Sequence, residues 1–147
     1  MKYTCEIEIN QPINKVIELF DNPENLPLWM EGLESFEHLS GQPGHPGAKS
    51  KLKFKMGKRE MEMTETITTR NLPDDFSGYY EMDGVINHIK NSFVTVTENK
   101  TRYITENEFV FKKNLAMKIF AFLMPGMFKK QSMKYLESFK KFAESQA

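Results

Sequence analysis

Between Leu33 and Phe111 the chain alternates apolar and polar residues in short stretches, each cut off by a turn signal. Period-two alternation sends every second side chain to the same face, so each stretch reads as a strand with one buried face and one wet face. The breaks are the loop from Gly41 to Gly47, Gly57, the run Asn71-Leu72-Pro73-Asp74-Asp75, Asp83-Gly84 and Glu98-Asn99-Lys100, and they cut out six strands. Connections this short join antiparallel neighbours, because a parallel crossover needs about a dozen residues or more. Upstream, Tyr3, Cys5, Ile7 and Ile9 alternate with Lys2, Thr4, Glu6 and Glu8, which adds a strand at the start. The expected sheet is antiparallel and seven-stranded.

Helical signals flank this sheet. Pro12 stands where a first helical residue would, followed by Ile13, Val16, Ile17 and Phe20 at helical spacing. Asp21-Asn22-Pro23 then ends that helix and offers Asn22 as the cap of a second short one holding Leu26, Leu28, Trp29 and Met30. From Leu115 to Ala147 the chain is helical again. Its second half places Phe128, Tyr135, Leu136, Phe139, Phe142 and Ala143 on one face, against Lys129, Lys130, Lys134, Glu137, Lys141 and Glu144 on the other. Some twenty helical residues span about 30 Å, as do nine or ten strand residues, so this helix is long enough to lie across the whole sheet.

Composition narrows the function classes. A chain of 147 residues has the size of one domain and buries roughly 70% of its unfolded surface without staples. Cys5, the single cysteine, has no disulfide partner, and the alternating opening shows no apolar leader, so a cytoplasmic protein is expected. Twenty Lys and Arg balance twenty Asp and Glu, leaving no net field to attract a phosphate backbone, and nucleic acid is not an expected partner. The three histidines, His38, His45 and His88, share no metal-ligand spacing, and no cofactor or metal is expected. The glycine loop lacks the lysine and hydroxyl of a phosphate loop and reads as a stiff hairpin connection near a cavity entrance. The apolar stretch 115–128 is broken by Lys118 and Pro125-Gly126 and is shorter than the ~20 residues of a membrane span. It reads either as a short helix packed over the end of the sheet or as a lid making transient membrane contact.

Face assignment yields candidate site residues. The third strand sends Lys49, Lys51, Lys53 and Lys55 to water and Ser50, Leu52, Phe54 and Met56 inward. On the fourth, Met61, Met63, Glu65 and Ile67 share a face, so Glu65 is the one carboxylate among apolar neighbours. A carboxylate removed from water either gains a partner or has its pKa raised, and a raised carboxyl serves as a general acid or base. Glu65 is therefore the candidate catalytic residue, with a place at the cavity mouth or opposite Arg102 as the structural alternative. The sixth strand offers Asn87, Ile89, Asn91 and Phe93, and the last Tyr103, Thr105, Asn107, Phe109 and Phe111. Aromatic side chains interleaved with a few amides and hydroxyls suit an apolar ligand pocket, and equally a filled core whose polar groups pair with backbone. Ten methionines, Met127 among them, add adaptable thioethers to the expected lining.

The order strand, two short helices, six antiparallel strands and one long helix resembles the helix-grip fold of the START, birch-pollen-allergen and polyketide cyclase superfamily, SRPBCC. Its most specific pieces are Ile9-Asn10-Gln11-Pro12, Asp21-Asn22-Pro23-Glu24 before Trp29, and the glycine loop Gly41-Gln42-Pro43-Gly44-His45-Pro46-Gly47. The resemblance implies a curved sheet gripping the terminal helix around a cavity bordered by Trp29, Phe128 and Tyr135. It also implies binding or transport of a hydrophobic small molecule such as a lipid or polyketide. Two other functions are compatible with the residues. One is a cyclase or dehydratase in which Glu65 moves a proton while Asn87, Asn91, Tyr103 or Asn107 orients a substrate oxygen. The other is a protein-docking module, which needs a large apolar patch outside the cavity.

Overall fold

A computed structural model describes residues 1–111 and 125–146. The alternating stretches form β1 (Lys2–Ile9), β2 (Leu33–Ser40), β3 (Lys49–Met56), β4 (Arg59–Asn71), β5 (Asp75–Met82), β6 (Val85–Thr97) and β7 (Lys100–Phe111). They make one seven-stranded sheet in the order β1-β7-β6-β5-β4-β3-β2, antiparallel at every pairing. β2 to β7 are successive hairpin neighbours. β1 returns to pair with β7, so the first two strands of the chain are the two edges of the sheet.

Bulges bend this sheet, since an extra residue on one strand kinks it and increases the local twist. The register slips between Ile67 and Thr69 on β4, again in β2, and near the end of β6. Opposite the β4 bulge stands Gly78, where a Cβ would lie 2.3 Å from the Thr66 carbonyl oxygen. Only glycine lets the two backbones approach so closely.

Two short helical elements cross from β1 to β2. α1 (Ile13–Phe20) begins one residue later than the pattern suggested, with Pro12 at its N-cap, and buries Val16 and Leu19. The expected cap at Asn22 is present: its side chain accepts from the Glu24 N–H at 3.0 Å and starts a 3₁₀ turn (Pro23–Asn25). α2 (Leu26–Trp29) follows directly and buries Trp29.

α3 (Pro125–Glu144) is the expected long terminal helix and packs on the sheet. It runs along the edge strand β1, in the same direction. Tyr3 Oη and Ser132 Oγ are 2.7 Å apart near one end. Near the other, Lys140 Nζ donates to the Glu8 carbonyl at 2.7 Å, and the Asn10 N–H donates to Glu144 at 2.7 Å. Leu136, Phe139 and Ala143 are buried, and rings reach from α3 onto β7, with Phe128 4.9 Å from Phe109 and Phe139 5.6 Å from Tyr103. A common core joins Phe20, Trp29, Phe93, Tyr103 and Phe139. The stretch 115–124, expected as a packed helix or a lid, lies outside the described residues. Among the described residues no helix is long and apolar enough to cross a membrane.

Candidate functional site

Strand register builds the site. Ser50 opposes Glu65, Glu65 opposes Tyr80, Tyr80 opposes Asn87, and Asn87 opposes Phe109. These five side chains form one row across β3 to β7 on the face that carries the core. Ile67, Gly78, Ile89 and Asn107 form the next row.

Glu65 keeps its anomaly and gains a partner that was not expected. Its Oε2 accepts from Tyr80 Oη at 2.7 Å. Burial pushes the Glu65 carboxyl above the ordinary carboxylate range, and the Tyr80 hydrogen bond draws it partly back. The Tyr80 phenol is held well above its usual value, first by burial and then by the adjacent Glu65 charge. Arg102 is not the partner: it opposes Glu8 on the outer face and lies 3.4 Å from that carboxylate, because Tyr103 takes the inward position beside it. Tyr80 escaped the sequence reading because Tyr79 and Tyr80 are consecutive, and aromatic character does not say which points inward. The alternation of Phe76, Gly78, Tyr80 and Met82 against Ser77, Tyr79 and Glu81 carried that signal.

The remaining expected site residues divide into two groups. Phe54, Asn91, Phe93, Tyr103, Thr105 and Asn107 are buried. Tyr103 Oη donates to Asn91 Oδ1 at 2.8 Å, and Asn91 Nδ2 donates to the Phe76 carbonyl at 3.1 Å. Asn107 Nδ2 lies 3.4 Å from Thr105 Oγ1. These groups are satisfied within the wall, and burial raises the Tyr103 phenol. Met61, Met63, Glu65, Asn87, Ile89, Phe109, Phe128 and Tyr135 retain partial exposure. The Tyr135 phenol is raised by burial, drawn partly back by its hydrogen bond with Gln131, and raised further by the charge of Glu31. Met127 stands apart from both groups at 49% exposure, and the Met56 side chain lies outside the described residues.

Two buried polar atoms on the described residues have no hydrogen-bond partner, Trp29 Nε1 and Asn87 Oδ1. Trp29 is 5% exposed and sits between Phe20 and Phe139, with ring centroids at 6.3 and 5.0 Å. Asn87 lies in the row beside Tyr80. Leaving such an atom unpaired costs about 1–3 kcal/mol, so each marks a place where a bound group would be stabilised.

One end of the sheet is tied down. Arg70 donates from both terminal nitrogens to both oxygens of Asp21, at 2.8 and 2.6 Å, and also to the Gly44 carbonyl at 3.1 Å. The Asp21 carboxylate raises the Arg70 guanidinium in return. The glycine loop is further fixed to β4, with Gly47 N–H on the Ile67 carbonyl and Ile67 N–H on the Ala48 carbonyl. An open hollow of about 500 Å³ lies on the outer face, where Thr4, Thr68, Ser77 and His88 line it with the pairs Lys2–Glu108 and Lys90–Glu106. Its charges are mutually satisfied. Among the described residues no group of three or more His, Cys, Asp or Glu is placed to hold a metal ion.

The fold is shared with solved structures of low sequence identity. The Zhui aromatase/cyclase from Streptomyces sp. R1128 superposes with a TM-score of 0.81 at 12% identity, covering 98% of this chain and 93% of that one. Ara h 8.0201 gives 0.75 at 13% identity, covering 99% of each chain. Norcoclaurine synthase from Thalictrum flavum, solved with dopamine and hydroxybenzaldehyde, gives 0.74 at 14% identity, covering 100% and 88%. No curated protein matches the sequence. Residues 1–144 match the profile of the family described as polyketide cyclase / dehydrase and lipid transport, and the chain belongs to that family.

Proposed function

We propose that this protein binds a hydrophobic small molecule on the inner face of β4 to β7, beside α3. The observation that carries this reading is the pair of buried unpaired atoms, Trp29 Nε1 and Asn87 Oδ1, in an interior of aromatic and aliphatic side chains whose other amides, such as Asn91, are hydrogen-bonded. A ligand site is mostly apolar with a few placed polar groups. The position of α3 supports the same reading, because it packs chiefly along the edge strand β1, with rings reaching β7, α1 and α2. Lipid transport is one of the activities in the family's description, and norcoclaurine synthase holds small aromatic molecules on the same fold. Native mass spectrometry of gently purified protein tests it. The expected result is a small-molecule adduct that leaves on denaturation; a mass that stays clean after incubation with a lipid extract rejects the reading.

A second reading, a cyclase or dehydratase, is favoured by Glu65. Its carboxyl is raised by burial, and its partner is a phenol rather than a cation. Such a group exchanges a proton near neutral pH more readily than an ordinary carboxylate. In that case Glu65→Gln abolishes turnover of the co-purified molecule while sparing its binding; unchanged turnover removes Glu65 from the mechanism.

A further inference from the structure

The polar content of the row limits what a ligand can present to it. Asn87 contributes a buried carbonyl oxygen with nothing donating to it. The neighbouring Tyr80 hydroxyl already donates to Glu65, so it has no proton to offer Asn87. Glu65 Oε2 is occupied by that bond, which fixes the carboxyl and leaves Oε1 as its other polar atom. Whatever meets Asn87 Oδ1 must therefore donate a hydrogen bond, and it does so beside Tyr80, whose own proton is committed to Glu65.

On the described strands, the cations that flank this row are engaged elsewhere or face away from it, Lys49 donating to Thr66 Oγ1. Arg70 is held by both oxygens of Asp21, and Arg102 faces outward onto Glu8. The β3 residues Lys51, Lys53 and Lys55 alternate with the buried Leu52 and Phe54 and so face away. Arg59 shares the inner face of β4 but is exposed at the far hairpin end. An anionic ligand would thus lose its hydration without a counter-charge from the described strands and would approach a row that carries a carboxyl group.

We infer that Glu65, Tyr80 and Asn87 form a hydroxyl-recognition subsite that selects neutral apolar molecules bearing an alcohol or phenol, with Asn87 as the specificity-determining acceptor and Tyr80 as the residue positioning Glu65. The inference rests on the proposed binding site and deepens it. A hydroxyl supplies the donor that Asn87 Oδ1 lacks and leaves the Tyr80–Glu65 bond beside it undisturbed. An ether or ketone leaves Asn87 unpaired, and a carboxylate finds no cation on the described strands around it.

Three probes on one skeleton test it: 2-naphthol, 2-methoxynaphthalene and 2-naphthoate, titrated at pH 7 against the full chain by calorimetry. The expected order has 2-naphthol binding about tenfold or more tightly than either of the others, the size of preference that a buried hydrogen-bonding group imposes. Asn87→Leu, similar in volume, should remove that preference by weakening 2-naphthol while leaving 2-methoxynaphthalene unchanged, which also shows that the pocket is intact. Should Asn87→Leu fail to fold, the wild-type series decides alone. Equal binding of naphthol and ether, or tightest binding of naphthoate, overturns the subsite while keeping the proposed binding site. Binding of none of the three overturns the proposed binding site with it.

Discussion

Glu65 has been taken out of water and given one donor, the Tyr80 hydroxyl, in exchange. Its pKa is therefore higher in the folded chain than in the unfolded one, and the native state holds the extra proton in the interval between the two values. Stability then falls as pH rises from the ordinary carboxylate range through the folded pKa, and above it the cost of the buried charge is fully present. Glu65→Gln keeps an oxygen for Tyr80 and removes the charge. We expect its Tm to exceed that of the wild type at pH 7 to 8, with the gap closing as pH falls to the carboxylate range; melting curves across pH check this. A Gln variant less stable at neutral pH would mean that the ionised carboxylate is well compensated. Alternation alone exposed Glu65 as anomalous, but its partner depended on pairing. Arg102 was charged and distant in sequence, yet on β7 it shares a face with Lys100 and Glu106, away from Tyr103. Strict parity along β7 already excluded it. Trp29 Nε1 and Asn87 Oδ1 could not be found unpaired from sequence, because satisfaction depends on every neighbour at once.

Local alternation and turn chemistry sufficed at the scale of strands: all five breaks between Leu33 and Phe111 fall where glycine, asparagine, aspartate or proline interrupts the pattern. What alternation does not report is bending. The β4 bulge and Gly78 bring two backbones together, and Gly78→Ala would drive a methyl into the Thr66 carbonyl. Overpacking of this kind costs about 1–3 kcal/mol, and more where backbone must move. A clear drop in the urea midpoint without a change in slope is expected. The Arg70 tie belongs to the same end of the molecule. It joins the C-terminal end of α1 to β4 and to the glycine loop, and its guanidinium lies 5.9 Å over the Phe76 ring. Arg70→Ala removes a two-pronged charged contact about a third exposed and a loop anchor. We expect faster amide exchange at His45 and Ala48, whose N–H groups bond within that loop, with β7 unaffected. Uniform acceleration over the sheet would show that the tie supports the whole fold instead. The placement of α3 was not available from its amphipathic pattern, which names the buried face but not the strand it meets. The side-chain and backbone contacts of Tyr3, Glu8 and Asn10 with α3 decide that.

In the whole molecule, these parts converge on Phe139. Its ring is fully buried and lies 5.9 Å from Phe20 on α1, 5.0 Å from Trp29 on α2, 5.6 Å from Tyr103 on β7 and 6.4 Å from Phe142 on its own helix. One side chain thus couples every described helix of the chain to the sheet. Truncating a buried phenylalanine to alanine costs about 3–5 kcal/mol, against a total stability of about 5–15 kcal/mol for an ordinary domain. Phe139→Ala should therefore lower the melting temperature sharply. Trp29 makes the nature of the loss observable, because it is the single tryptophan and touches Phe139 directly. If the core is one unit, the emission of Trp29 shifts to the red in the same transition that the backbone circular dichroism follows. If Trp29 shifts first while the sheet signal persists, α2 and α3 detach from a sheet that stands without them, and the interior facing Glu65 and Asn87 opens separately from global unfolding.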